Sequence, residues 1–264
     1  MNAPLIDSVV VVLREVLEFA LLVGILLAAG ARAGLTGRWL RAGVAAGLAG
    51  ATAFMMAMRP LSESFGGVGY ELANAALHIV IYGLLLGCIA LLANRHRSRS
   101  PAQFAWLAGC ATAAAMTREV SEILLYLTAF AGRPQALPDL LLGSLLGAGV
   151  GFSTGALLYY LLRELPSRIG RPVLLALLAL VGGGMWSQAT ALLVQADWLP
   201  ARAPLWDSSA WLPENSLPGQ LLYALLGYEA TPGPWLVGLT AASVVLALAL
   251  AAVTARRSSA PPAP

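Results

Sequence analysis

Seven apolar runs divide this chain, near residues 5–31, 40–58, 71–93, 104–130, 139–162, 173–195 and 234–254. Each has the roughly 20 residues that a helix needs to cross a bilayer core about 30 Å thick. Lipid offers no partner for backbone N–H and C=O groups, so spanning segments of this length must be helical. The expected fold class is therefore all-α: a polytopic membrane protein with seven transmembrane helices, one unit over residues 1–257. With 59% hydrophobic and only 11% charged residues, the chain has more apolar surface than one water-soluble core could hide. The first run is not expected to be a cleaved secretory signal, because no basic segment precedes it and charges interrupt it.

Arginine sets the expected orientation. Arg32, Arg38, Arg41, Arg95, Arg97, Arg99, Arg163, Arg168, Arg171, Arg256 and Arg257 fall on one side of the alternating runs, against Arg59, Arg133 and Arg202 on the other. The positive-inside rule then places the N-terminus outside and the C-terminus in the cytoplasm. The acids map the opposite way. Asp7, Glu63, Glu71, Asp139, Asp197, Asp207, Glu214 and Glu229 all lie at the outer side, and only Glu164 lies inside. An outer face of net negative charge concentrates cations and repels anions, although each acid taken alone could be an ordinary solvated loop residue.

Two runs break the apolar pattern. Arg14-Glu15-Val16-Leu17-Glu18 lies within the first and Arg118-Glu119-Val120-Ser121-Glu122 within the fourth. A charge at the centre of a membrane helix costs roughly 2.5–3.5 kcal/mol on insertion scales, so these residues need a compensating use. At about 100° per residue, Arg14, Glu15 and Glu18 share one helix face, as do Arg118, Glu119 and Glu122. One arginine cannot neutralise two carboxylates, so each segment is left with an excess negative charge. Four carboxylates near the bilayer centre, with two arginines to orient them, make a hard-oxygen site for a cation. The structural alternative is a salt-bridge lock that holds helices one and four in register without transporting anything.

The segments also mark an internal repeat. They stand three spans apart, so their helices run in opposite directions. Spans two and five each carry small residues every fourth position: Gly43, Gly47 and Ala51, then Gly143, Gly147, Gly151 and Gly155. Such stripes let helix backbones approach closely. A 3+3 inverted repeat plus one added helix is the expected plan, with polar groups near the midplane as in many transporters.

Other candidate groups are sparse. His96 falls in an arginine-rich loop, and His78 in span three reads first as an interhelical hydrogen-bonding residue. Met55, Met56 and Met58 read as packing or lipid contacts rather than copper ligands. Cys88 and Cys110 form no paired motif and read as small packing residues. The long connection 196–233 is rich in Trp and Pro and contains a short apolar stretch, Leu217 to Tyr228, suited to an interfacial or re-entrant helix. The tail 258–264 is expected to be disordered. No nucleophile–base pair or nucleotide loop is visible, which argues against an enzyme, and nothing points to nucleic acid.

Two membrane-embedded Arg-Glu-x-x-Glu segments, in spans one and four of seven, resemble the oxidase-dependent iron permeases, which include the fungal high-affinity iron permeases and the permease component of bacterial iron-uptake systems. The resemblance extends over nearly the whole chain. Tyr70-Glu71-Leu72-Ala73-Asn74-Ala75, Ser187-Gln188-Ala189, Pro204-Leu205-Trp206-Asp207-Ser208-Ser209 and Leu226-Gly227-Tyr228 support it. It implies that Glu15, Glu18, Glu119 and Glu122 handle iron as the transported ion, Fe3+ or Fe2+. Arg14 and Arg118 would orient them, and Glu71 would be an accessory acid on the outer side. It further implies import across the cytoplasmic (inner) membrane, in contact with membrane lipid, and a separate extracytoplasmic oxidase or iron-binding protein as partner. The residues alone leave open another hard divalent cation or protons as cargo, or a structural membrane subunit.

Overall fold

The computed structural model describes residues 3–94, 101–130 and 133–257. Within them the regular structure is helical, with no strand. The helices are α1 (Ala3–Arg32), α2 (Arg38–Glu63), α3 (Gly69–Ala93), α4 (Pro101–Thr128), α5 (Leu137–Glu164), α6 (Ser167–Gln195), α7 (Leu217–Leu226) and α8 (Pro234–Arg257). Every apolar run is thus a helix, and most helices extend past their runs into the arginine-bearing turns. His96, Arg95, Arg97, Arg99 and the tail 258–264 lie outside the described residues.

Five helices are long and apolar enough to cross a membrane: α2 with the turn that follows it, α3, α5, α6 and α8. The expectation of seven is met only in part by this measure. The two long helices outside the group, α1 and α4, are those that carry the charged segments, and the charges lower their apolarity. Burial compensates in α1. Every residue from Glu15 to Leu26 is buried, so α1 is enclosed by protein on all sides at that level. A helix wrapped by other helices does not need a lipid-compatible face.

The helices around α1 and α4 are placed by the small-residue stripes. α1 packs chiefly on α5, and α2 on α4. A methyl group added at Gly143 would meet Leu5 O and Ser8, and one at Gly147 would lie 2.6 Å from Val9 O and 2.9 Å from Leu13 N. In the second pair, a methyl at Gly43 would lie 2.8 Å from Gly109 O and 3.0 Å from Thr112 Cβ. Leu5 and Ser8 correspond to Gly109 and Thr112 by the same offset that carries Arg14 to Arg118. The two helix pairs are therefore built from matching contacts. Within each, residue numbers rise together along the contact, so the paired helices are parallel.

α3 and α6 form the third pair and run antiparallel, with Tyr82 against Gly182 and His78 against Gln188. α8 closes the outside of α6, where Val244 fills the space left by Gly183. Some of the arginines that set the orientation also end helices. Arg32 Nη2 donates to Leu162 O at 2.9 Å and Leu165 O at 2.6 Å, at the last turn of α5. Arg171 Nε donates to Leu92 O at 2.8 Å near the end of α3. Both satisfy carbonyls that a helix terminus leaves unpaired.

The connection 196–233 is tied down by its own hydrogen bonds. Ser208 Oγ bonds to Tyr228 Oη at 2.7 Å, and Ser208 N donates to Ala230 O at 2.9 Å. Glu214 Oε1 accepts from Ala230 N at 2.7 Å, so this acid is engaged in holding the loop. α7 begins at Ser216, whose Oγ accepts from Gly219 N, and ends at Gly227 in the left-handed region (φ 63°), which a side chain would resist. Ser187 Oγ donates to Gly227 O at 2.6 Å and fastens this end to α6.

The stripe geometry yields a direct expectation. Gly147→Ala forces backbone of α1 and α5 apart and should cost about 1–3 kcal/mol. Gly149→Ala, on the same helix with nothing near it, should change stability by about 0.5 kcal/mol or less. Thermal unfolding of the two detergent-solubilised variants checks the contrast.

Candidate cation site between α1 and α4

The two charged segments meet. α1 and α4 bring their Arg-Glu-x-x-Glu faces together, and Arg118 becomes the centre of a single cluster. Its Nη1 donates to Glu18 Oε2 at 2.7 Å and to Glu119 Oε1 at 2.6 Å. Its Nε donates to Glu122 Oε1 at 3.1 Å and its Nη2 to Glu122 Oε2 at 3.4 Å. Nη2 also stands 3.7 Å from Glu15 Oε2. One guanidinium thus faces all four carboxylates, across both helices. Glu15, Glu18, Arg118 and Glu119 are buried, where Coulomb attraction is strong and an unpaired charge is expensive.

Arg14 behaves differently. Its Nε lies 3.7 Å from Glu18 Oε1 and 4.0 Å from Glu15 Oε1, without a hydrogen bond to either. The guanidinium instead lies over the ring of Tyr223, 3.8 Å from its centroid, and the side chain is 43% exposed. A cation–π contact of this kind is worth roughly 0.5–2 kcal/mol. The excess negative charge expected in each segment is shared across the two, since Arg118 contacts carboxylates of both. Arg118 serves both, and Arg14 stands at the edge.

A second line of polar groups reaches the cluster from α3 and α6. Gln188 Nε2 donates to Glu18 Oε2 at 2.8 Å. Gln188 Oε1 lies 2.7 Å from His78 Nε2, and His78 Nδ1 lies 2.8 Å from Asn74 O. His78 is therefore an interhelical hydrogen-bonding residue, as its position implied. Gln188 is the member of this line that sequence reasoning did not assign. Its only signal was a polar residue in an apolar run, within a triplet similar to the iron permeases. Tyr223 gave no signal, because an aromatic residue in a short apolar stretch is ordinary.

Three carboxylate oxygens in the cluster are buried without a hydrogen-bond partner: Glu15 Oε2, Glu18 Oε1 and Glu119 Oε2. Such atoms are open acceptors of the hard type that multivalent cations prefer. No group of three or more His, Cys, Asp or Glu side chains among the described residues is already closed into a metal-holding set. The carboxylates converge on Arg118 instead. Glu71 is not brought into the cluster. It lies in the first turn of α3, outside the ion pairs found among the described residues, with its Oε2 buried and unpartnered. Met56 is largely exposed, and Cys88 and Cys110 are free thiols remote from one another in sequence.

Comparison with known proteins places this architecture. The iron permease FTR1 family matches residues 5–259. The chain belongs to that family. No curated protein and no solved structure matched it. As an FTR1 family member with five membrane-capable helices, it is a multi-pass membrane protein of an iron-transport family. The stretches resembling iron permeases also come together in space. Ser187 binds Gly227, Ser208 binds Tyr228, and Gln188, next to Ser187, binds Glu18.

The unequal arginines give a prediction. Arg118→Gln leaves four carboxylates facing each other and should destabilise the fold by about 3–5 kcal/mol. Arg14→Gln should cost about 1 kcal/mol or less. Thermal melts followed by size-exclusion chromatography would show the large loss only for Arg118.

Proposed function

We propose that this FTR1 family member imports iron ions across the cytoplasmic membrane through the carboxylate cluster between α1 and α4. The observation that carries the reading is the convergence of Glu15, Glu18, Glu119 and Glu122 on one buried arginine, with three of their oxygens unpartnered. In this reading α1 and α4 also cross the bilayer, giving seven spans within one unit over residues 1–257. The N-terminus is outside and the C-terminus cytoplasmic. The matching contacts of α1 with α5 and of α4 with α2 support a 3+3 inverted repeat with α8 added. The cluster then lies on the approximate two-fold axis near the midplane.

Arg118 acts as a resident counter-charge. With no cargo its charge offsets part of the cost of holding carboxylates in a dry interior, where each ionised group is penalised. An iron ion, of higher charge and hard-acid character, takes over their oxygens and displaces the guanidinium from the centre. Access is at the cluster's two less enclosed members, Glu122 with 26% of its side chain exposed and Arg14 with 43%. The outer acids, Glu71 among them, draw cations toward that side. A separate oxidase or iron-binding protein delivers the ion, and a rearrangement of the two halves releases it inward.

The central place of Arg118 also favours a second reading, in which the cluster only locks α1 to α4. Uptake of radioactive iron into proteoliposomes separates the two. Glu15→Gln and Glu119→Gln should lower uptake at least about tenfold while membrane abundance stays near wild type. Wild-type uptake would sink the transport site, and a loss of abundance matching the loss of uptake would favour the lock.

A further inference from the structure

The molecule contains its own comparison for the role of α7. Arg14 and Arg118 occupy the same place in the same segment, each four residues before a glutamate on its own helix. Arg118 closes on that glutamate, with bonds of 3.1 and 3.4 Å to Glu122. Arg14 makes only a long ion pair with Glu18, without a hydrogen bond. Its Nε stops at 3.7 Å, and both Arg14 Nε and Glu18 Oε1 are buried without hydrogen-bond partners. Opposite charges at this helical spacing ordinarily pair. Two things differ: Glu18 Oε2 is also held by Arg118 and Gln188, and Tyr223 lies under the Arg14 guanidinium while no ring is stacked on Arg118 among the described residues.

The ring can hold its position because α7 is fixed on two sides. Ala224, Leu221 and Leu225 pack against Leu13, Leu17 and Leu21 of α1, on the helix that carries Arg14 itself. The far end of α7 is fastened by Ser187 to Gly227, one residue from the Gln188 that binds Glu18. The ring, the arginine and the carboxylate are thus referred to the same two helices, α1 and α6.

We propose that Tyr223 is a positioning residue that holds Arg14 off Glu18 and so keeps Glu18 Oε1 open to the cation. This rests on the reading of the four carboxylates as the cation site. Without the ring, Arg14 swings onto Glu18 and closes its side of the cluster as Arg118 closes on Glu122. The cargo must then displace two guanidinium groups instead of one.

The test is the concentration dependence of radioactive iron uptake in proteoliposomes, normalised to inserted protein. Tyr223→Leu should raise KM about tenfold with Vmax little changed. Tyr223→Phe keeps the ring face and should restore KM to within about twofold of wild type. In an Arg14→Gln background, Tyr223→Leu should shift KM by less than about twofold, because the group it positions is gone. An equal rise in both backgrounds would mean that Tyr223 merely supports the fold, and an unchanged KM in the wild-type background would also overturn the proposal. Tyr223→Met, closer in volume, makes the same comparison if the leucine variant does not insert. Glu18→Gln in the same series tests the underlying site: a wild-type KM there removes the carboxylate reading, whereas a raised KM beside a silent Tyr223→Leu removes only the positioning role.

Discussion

The structure depends on one guanidinium facing four carboxylates in a place with little water. Each of those acids would be costly to bury ionised, and an arginine with no partner would be costly as well. Contact lowers both costs, although a single guanidinium cannot neutralise four carboxylates. This constraint explains why α1 and α4 must meet, and why they meet at the depth of their charged segments. It also explains why α1, a helix too charged to count as an ordinary membrane span, lies enclosed by its neighbours.

Enclosure is achieved with very little side-chain volume. The glycines of α5 lie on α1 and those of α2 lie on α4, close enough that added methyl groups would meet backbone atoms. Close approach compensates where apolar driving force is weak, since lipid and leucine are alike in apolarity. The charged helices are each gripped by a small-residue partner through matching positions, and the cluster forms between the two grips. α3 and α6 then add Gln188 and His78 from a third direction. The centre is ordered by hydrogen bonds from four helices, which suits a site that must hold charge in a fixed geometry.

Much of the architecture was legible in the sequence, because lipid forces a simple code. Runs such as 71–93 became helices with nearly the same bounds, and the spacing of Gly43, Gly47, Gly143 and Gly147 marked the contact faces. The charged segments stood out through their cost. What was not legible was the pairing. Helical spacing shows which residues share a face but not what lies opposite, so a private Arg14–Glu18 pair was as reasonable as the observed sharing of Arg118. Gln188 and Tyr223 escaped for the same reason: their roles come from tertiary neighbours 170 and 209 positions away in the chain, Glu18 and Arg14. The stretches similar to iron permeases pointed to the connection 196–233 without saying that it is fastened to α6 beside Gln188.

If iron takes carboxylate oxygens away from Arg118, the bound ion itself carries the evidence. X-ray absorption at the iron edge, on purified protein loaded with iron, reads the ligand atoms directly. The expected result is an oxygen-only coordination shell that disappears when Glu15, Glu18, Glu119 and Glu122 are all replaced by glutamine. A shell containing sulfur or imidazole nitrogen, or one that survives those four replacements in folded protein, would contradict it.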